Sequence, residues 1–188
     1  MDDRIERIIK ESISAKEELL RTQAGAIAKA AAVISGSLDS GGKVLIFGNG
    51  GSAADSQHMA AELVGRFKKE RKALAAVALT VDTSSITAIA NDYGYDRVFS
   101  RQIDALGRPG DVAFGISTSG SSPNVLLAVE RARSIGMKTI GLTGAAGKLK
   151  GLCDVVIACP AKDTARVQEC HITAIHALCE LIEEKAAG

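Results

Sequence analysis

Residues 43–66 carry an apolar run, a glycine-rich turn and a helix in immediate succession: KVLIF, then GNGGS, then AADSQHMAAELVGR. A short continuous apolar run bounded by turn residues suits a strand buried on both faces, which is the usual condition of a strand in a parallel sheet. Parallel strands must be joined by crossovers, usually helices, and the chain repeats that alternation. Further strands are expected at 75–81 (AAVALTV), 111–116 (DVAFGI), 138–142 and 154–158 (DVVIA). Helices are expected at 52–67, as a Thr/Ser-capped turn at 84–90, at 97–106, from Pro123 and Asn124 onward, and at 164–185. The fold class is therefore α/β, with a five-stranded parallel sheet, right-handed crossovers and helices on both faces. Ahead of it, residues 2–36 read as one long helix in which Ile5, Ile8, Ile9, Ile13, Leu19 and Leu20 form an apolar stripe. Gly36 and the following SGSLDSGG are expected to break it. So long a helix exceeds what a small sheet can cover, and part of its stripe is expected to pack on another subunit. The chain reads as a single domain over 1–188, with an oligomerisation helix at 1–36 and an α/β core at 43–185.

Composition narrows the function. A length of 188 residues is enough for a full core without disulfides or a structural metal. Only 3% of residues are aromatic, so Ala, Val, Ile and Leu must do the packing. A formal charge of +1 supplies no field for gripping nucleic acid. The basic run RFKKERK at 66–72 reads as a solvated face at a helix end. Cys153, Cys159, Cys170 and Cys179 have no CxxC spacing and read as small buried thiols in a reducing compartment. MDDRIERIIKE is charged from residue 2, unlike a signal peptide, and no apolar run approaches the ~18–20 residues of a membrane span. A soluble, cytoplasmic protein is expected, bound to neither membrane nor nucleic acid.

The polar residues of interest fall where strands end at their carboxyl side, the edge at which open α/β sheets bind ligands. GNGGS follows the first strand, Asn91 and Asp92 come after the second in an expected loop, NDYGYD, and Ser117-Thr118-Ser119-Gly120-Ser121-Ser122 follows the third. GNGGS matches neither a Walker loop nor a dinucleotide fingerprint. It is either a plain turn or, with the helix dipole and free N–H groups behind it, a cradle for phosphate or carboxylate. Ser52 stands where an N-cap would. The hydroxyl-rich loop opening a helix at Pro123 suits phosphate oxygens without needing Lys or Arg. His58 and Glu62, four residues apart, project within about 40° of each other on one helix face, with Asp55 a turn earlier. In the last helix Gln168 and His176 lie about 80° apart, whereas His171 and His176 diverge by about 140°, so only one of the two histidines is expected at the site. An imidazole and a carboxylate flanking a phosphosugar suit aldose–ketose isomerisation, in which one group removes the proton next to a carbonyl and another protonates its neighbour. The same His/Glu/Gln/His set could instead ligate a divalent metal such as Zn²⁺.

GNGGSAADSQHMAAEL, AIANDYGYD, GISTSGSSPNV and RVQECHITAIHALCELIE, behind the long N-terminal helix, resemble the phosphoheptose isomerase family of sugar isomerase (SIS) domain proteins across essentially the whole chain. The resemblance implies a flavodoxin-like αβα sandwich assembled as a homotetramer with intersubunit active sites. It implies conversion of sedoheptulose 7-phosphate into D-glycero-D-manno-heptose 7-phosphate, for bacterial lipopolysaccharide core or surface glycans. By motif, Glu62 would be the base and His176 its acid/base partner. Ser117, Thr118, Ser119 and Ser122 would hold phosphate; Asn49, Gly50, Gly51, Ser52, Asn91, Asp92 and Gln168 would contact substrate. Zinc would sit on His58, Glu62, Gln168 and His176, and His171 would be structural. Related non-enzymatic tetramers bind the bacterial replication initiator but lack groups able to transfer protons at the positions of Glu62 and His176; this chain has both.

Overall fold

The computed structural model describes residues 3–187. Five parallel strands form one sheet: β1 (Val44–Gly48), β2 (Ala76–Ala78), β3 (Val112–Ser117), β4 (Lys138–Thr143) and β5 (Val155–Ala158), in the order β2-β1-β3-β4-β5. That is the flavodoxin-like order, whose switch point lies between β1 and β3. Every residue of β1 and β3 is buried, as the apolar runs require. Alternation along β1 splits the core. Val44 and Ile46 face α1 (Asp3–Asp39), α2 (Gly51–Val64) and α6 (Thr164–Ala187), while Leu45 and Phe47 face α4 (Val98–Leu106) and α5 (Pro123–Ser134). The remaining helix, α3 (Thr83–Tyr93), leads through a 3₁₀ turn into α4.

Several boundaries differ from the sequence reading, each for a physical reason. α1 runs through Gly36 to Asp39; its start at residue 2 lies outside the described residues. A mid-helix glycine costs only ~1 kcal/mol, and here Ile34, Ser35 and Ser37 are buried, with Ser37 Oγ donating to the Gly110 carbonyl at 2.7 Å. The stop comes at Gly41, whose φ of 80° closes the turn. β2 is shorter than 75–81. α3 is capped by Asp82, whose carboxylate accepts from the Ser85 N–H at 3.0 Å and the Ser85 hydroxyl at 2.6 Å. It extends to Tyr93, so Asn91 and Asp92 are helical rather than in a loop. α2 is capped by Gly50, and Ser52 sits buried in the first turn instead of serving as N-cap.

The stripe on α1 divides in two. Leu19, Ile27, Ala30, Ala31 and Ile34 are buried within the chain, while Ile5, Ile8, Ile9, Ile13 and Leu20 stand exposed, Leu20 by 72%. Leu19 thus belongs to the core rather than to the outer stripe. Among the described residues no helix is long and apolar enough to cross a membrane. Cys153, Cys159, Cys170 and Cys179 are unpaired, and all but Cys153 are fully buried. Burial pushes the Cys153 thiol up to about 12, and it raises the other three as well.

His171 is fully buried on the core side of α6, and neither ring nitrogen has a hydrogen bond of full geometry. Burial pushes its imidazole down to about 4, against an upward pull from the Thr143 backbone. The unfolded chain therefore binds a proton near pH 6.5 that the folded chain refuses until about pH 4. Stability from this residue is intact above pH 6.5 and falls as pH drops through that window, by about 3 kcal/mol at most. His171→Leu is expected to flatten denaturant-measured stability between pH 7 and 4. Asp55, which burial raises to about 6, titrates with the opposite sign in both proteins and cancels in the comparison.

Candidate active site

The site lies at the switch point, where the chain leaves β1 and β3 in opposite directions. Backbone crowding explains Gly48, where a Cβ would come within 2.7 Å of Ser52 Cβ and 2.8 Å of the Ile116 carbonyl; on Gly51 it would meet the movable end of the Gln168 side chain, Nε2 at 2.6 Å. Gly50 adopts a φ of 56°. The two loops are tied together by a reciprocal amide pair absent from the sequence reading. Asn49 Nδ2 donates to Asn124 Oδ1 and Asn124 Nδ2 to Asn49 Oδ1, both at 2.9 Å, while the Tyr95 hydroxyl reaches Asn49 Oδ1 at 3.2 Å. Only Asn124's place in the first turn of α5 hinted at this.

In the hydroxyl loop, Ser117 Oγ lies 2.9 Å from Ser122 Oγ and 3.4 Å from Ser119 Oγ, and the Ser121 N–H donates to Ser119 Oγ at 3.2 Å. Ser122 is the N-cap of α5, yet its hydroxyl turns toward Ser117 rather than to the helix. The loop thereby gathers three hydroxyls at the start of a helix, whose dipole favours an anion. Thr118 closes the loop's base, its carbonyl accepting from the Gly144 N–H at 3.2 Å.

α2 and α6 run side by side in nearly constant register. Gly51 meets Gln168, His58 meets His176 across 118 residues, and Phe67, just past α2, meets Glu183 across 116. Between them lies a cleft of about 450 Å³ lined by Gly51, Asp55, Gln168 and Glu169. His58 Nε2 and His176 Nε2 stand 2.9 Å apart, and Glu62 Oε1 lies 3.4 Å from His58 Nε2. The Phe67 ring stacks on His176 with centroids 5.6 Å apart. The Glu62 side chain is largely covered but keeps 21% of its surface open to solvent. His58, Glu62 and His176 are thus brought together, while Gln168 stands about 12 Å along the axis of α6 from His176, near the glycine turn. Asn91 and Asp92 face solvent at the end of α3, where Asn91 Nδ2 donates to Asp92 Oδ1 at 2.8 Å. Within one chain they are not joined to the His/Glu group.

The basic run at 66–72 is not uniformly a solvated face. The Arg71 side chain is 1% exposed and that of Glu183 2%, with Arg71 Nε 3.5 Å from Glu183 Oε1. Their partnership spans the whole of the core in sequence, so a local charge count cannot register it.

The donor types near His58, two imidazoles and a carboxylate, are ones that zinc takes. Zn–N distances of 2.0–2.1 Å in a tetrahedron set ligand atoms about 3.3 Å apart, and the two imidazole nitrogens and the carboxylate oxygen are spaced at 2.9 and 3.4 Å. Without an ion the arrangement is a hydrogen-bonded histidine pair. Among the described residues no three His, Cys, Asp or Glu side chains are placed to hold a metal ion as they stand.

Comparison with known proteins identifies the family. Residues 9–144 match the SIS domain family. The chain is 55% identical over 175 residues to phosphoheptose isomerase from Campylobacter jejuni, covering 93% of this chain and 92% of the relative. It is 50% identical over 185 residues to phosphoheptose isomerase from Aquifex aeolicus, covering 98% and 97%. The structure of phosphoheptose isomerase from Neisseria gonorrhoeae superposes with a TM-score of 0.92 at 48% identity, over 97% of this chain and 98% of that one. None of these three relatives supports the reading as a replication-initiator-binding tetramer. By whole-chain identity, shared fold and the SIS match, this chain belongs to the phosphoheptose isomerase family of SIS domain proteins.

Proposed function

We propose that this chain is an aldose–ketose isomerase that converts sedoheptulose 7-phosphate into D-glycero-D-manno-heptose 7-phosphate, supplying heptose for bacterial lipopolysaccharide core or surface glycans. The observation that carries the reading is the convergence of Glu62, His58 and His176 beside two loops suited to an anion. The phosphate is held by Ser117, Thr118, Ser119 and Ser122 and the N-terminus of α5. Asn49, Gly50, Gly51, Ser52 and Gln168 line the sugar's path, with Asn91 and Asp92 completing it. The Glu62 carboxylate takes a proton from C1 while His176 gives one to the C2 oxygen, forming the enediol. Glu62 then returns its proton to C2 as His176 takes the proton from the C1 oxygen, leaving the aldose and restoring both groups.

A zinc ion is proposed on His58, Glu62, Gln168 and His176; when bound it supplies a positive charge that stabilises developing negative charge on the sugar's oxygens. The assembly is proposed to be a homotetramer with active sites between subunits, which would cover the exposed face of α1 and bring Asn91 and Asp92 to a site. A face of five large aliphatic side chains left in water usually marks an interface. A cytoplasmic location is proposed to go with the four unpaired thiols.

Incubation with sedoheptulose 7-phosphate, followed by NMR, is expected to show the aldose. Glu62→Gln should cut turnover by ~10²–10⁴ while substrate affinity stays within a few-fold; turnover near wild type removes Glu62 from the scheme. His176→Asn should cost a comparable factor.

Elemental analysis of protein purified without chelator is expected to find one zinc per chain, lost in His58→Ala. Metal-free protein that keeps full activity in chelator would leave the side chains as the whole acid/base machinery.

Ile9→Glu with Ile13→Glu places unpaired charge in the proposed interface, a strongly unfavourable change. Light scattering should then report smaller species together with a parallel loss of isomerisation. A folded, fully active monomer would show that each site is complete within one chain.

A further inference from the structure

The carboxyl end of α2 lies two or three residues beyond Glu62, and its last carbonyls have no partner within the helix. Arg71 supplies one. Its Nη2 donates to the Glu62 carbonyl at 2.7 Å, and its Nη1 donates to the carbonyls of Leu63 at 2.8 Å, Gly65 at 3.1 Å and Lys72 at 3.0 Å. A buried cation at a helix carboxyl terminus is also favoured by the dipole. Glu183 completes the unit from α6. Its Oε1 accepts the Phe67 N–H at 2.8 Å, and its Oε2 accepts the N–H groups of Lys68 and Lys69 at 2.7 and 2.8 Å. Burial alone would raise the Glu183 carboxyl, but these three donors and Arg71 outweigh it and hold it below the ordinary carboxylate range. Glu183 lies seven residues after His176, two turns on along nearly the same face of α6.

We propose that Arg71 and Glu183 are positioning residues: a buried clamp that fixes the Glu62 end of α2 against α6 and holds the Phe67 ring on His176. The clamp grips Glu62 by its own carbonyl and His176 by the ring packed on it. It therefore sets the spacing of the two groups assigned to proton transfer, touching neither side chain. This assignment rests on the isomerase reading above, and its test includes a measurement independent of turnover.

Removing one partner alone would strand a buried charge and could unfold the chain. The pair is therefore replaced together, as Arg71→Met with Glu183→Leu, which leaves no uncompensated charge. Lys43→Met serves as control. It breaks another partly buried pair, in which Lys43 Nζ lies 2.5 Å from Asp111 Oδ2 at the opposite edge of the sheet. With protein labelled at histidine Cε1, the His176 ring resonance carries the ring-current shift of Phe67, which the double variant is expected to lose and Lys43→Met to keep. Turnover of sedoheptulose 7-phosphate should fall on the order of 10- to 100-fold in the double variant, with KM within about twofold, since misplacing reacting groups by ~1 Å has that scale of effect. Phe67→Leu, which opens no charge, should give a smaller loss of the same kind. A folded double variant that keeps either the wild-type His176 resonance or wild-type turnover overturns the proposal. So does an equal loss in Lys43→Met that remains folded by circular dichroism, which would mark general destabilisation. Should wild type itself not isomerise the sugar, the function reading fails and the His176 resonance still decides whether the clamp exists.

Discussion

The parallel register of α2 against α6 is the constraint on which the site depends. Both helices return from the same edge of the sheet, so a fixed axial offset places side chains opposite each other at three heights. Glycine and glutamine meet at the entrance, two imidazoles meet in the middle, and a buried ion pair closes the far end. A shift of one residue would rotate each helix's contact face by about 100° and separate all three contacts at once. The apolar core beneath, including Met59, Leu63, Cys170, Ala174 and Leu178, holds that offset by packing.

The two loops proposed to hold an anion offer it backbone groups and hydroxyls. The loops after β1 and β3 sit at helix starts, and neither contains Lys or Arg. Their positions follow from sheet order alone: β1 and β3 are neighbours whose crossovers leave in opposite directions, opening the crevice between them. The Asn49–Asn124 pair then joins the two loops into one surface. Fixed dipoles of this kind need no reorganisation when a charged group arrives.

Much of this was legible in the sequence because its signals are local. Apolar runs gave five strands, Pro123 opened α5, and the spacing of His58 and Glu62 put both on one face. The failures were equally physical. Gly36 has the propensity of a helix stop, but buried neighbours carry α1 past it. Asn91 and Asp92 sit among turn-forming residues, yet the Asp82 cap and the positive-φ Gly94 bound a helix that contains them. Arg71 looked like one more charge in a solvated run, since its partner Glu183 lies more than a hundred residues away. Long-range pairs leave no periodicity to read. The whole-chain resemblance adds what local patterns lack, a proposal for which of the convergent polar groups belong to one reaction.

The packing of Gly48 against the neighbouring strand has a consequence for how this scaffold can change. Glu62 and His58 are partly open, so their side chains could be exchanged one at a time with the backbone undisturbed. Gly48 has no such freedom. A Cβ there would meet the Ile116 carbonyl at 2.8 Å and the Ser52 carbonyl at 3.0 Å, backbone atoms that cannot swing aside, so replacing it requires β1 and β3 to part. Descendants of this fold can therefore exchange the polar groups beside the cleft readily, while the glycine that ends β1 stays for as long as the two strands stay paired.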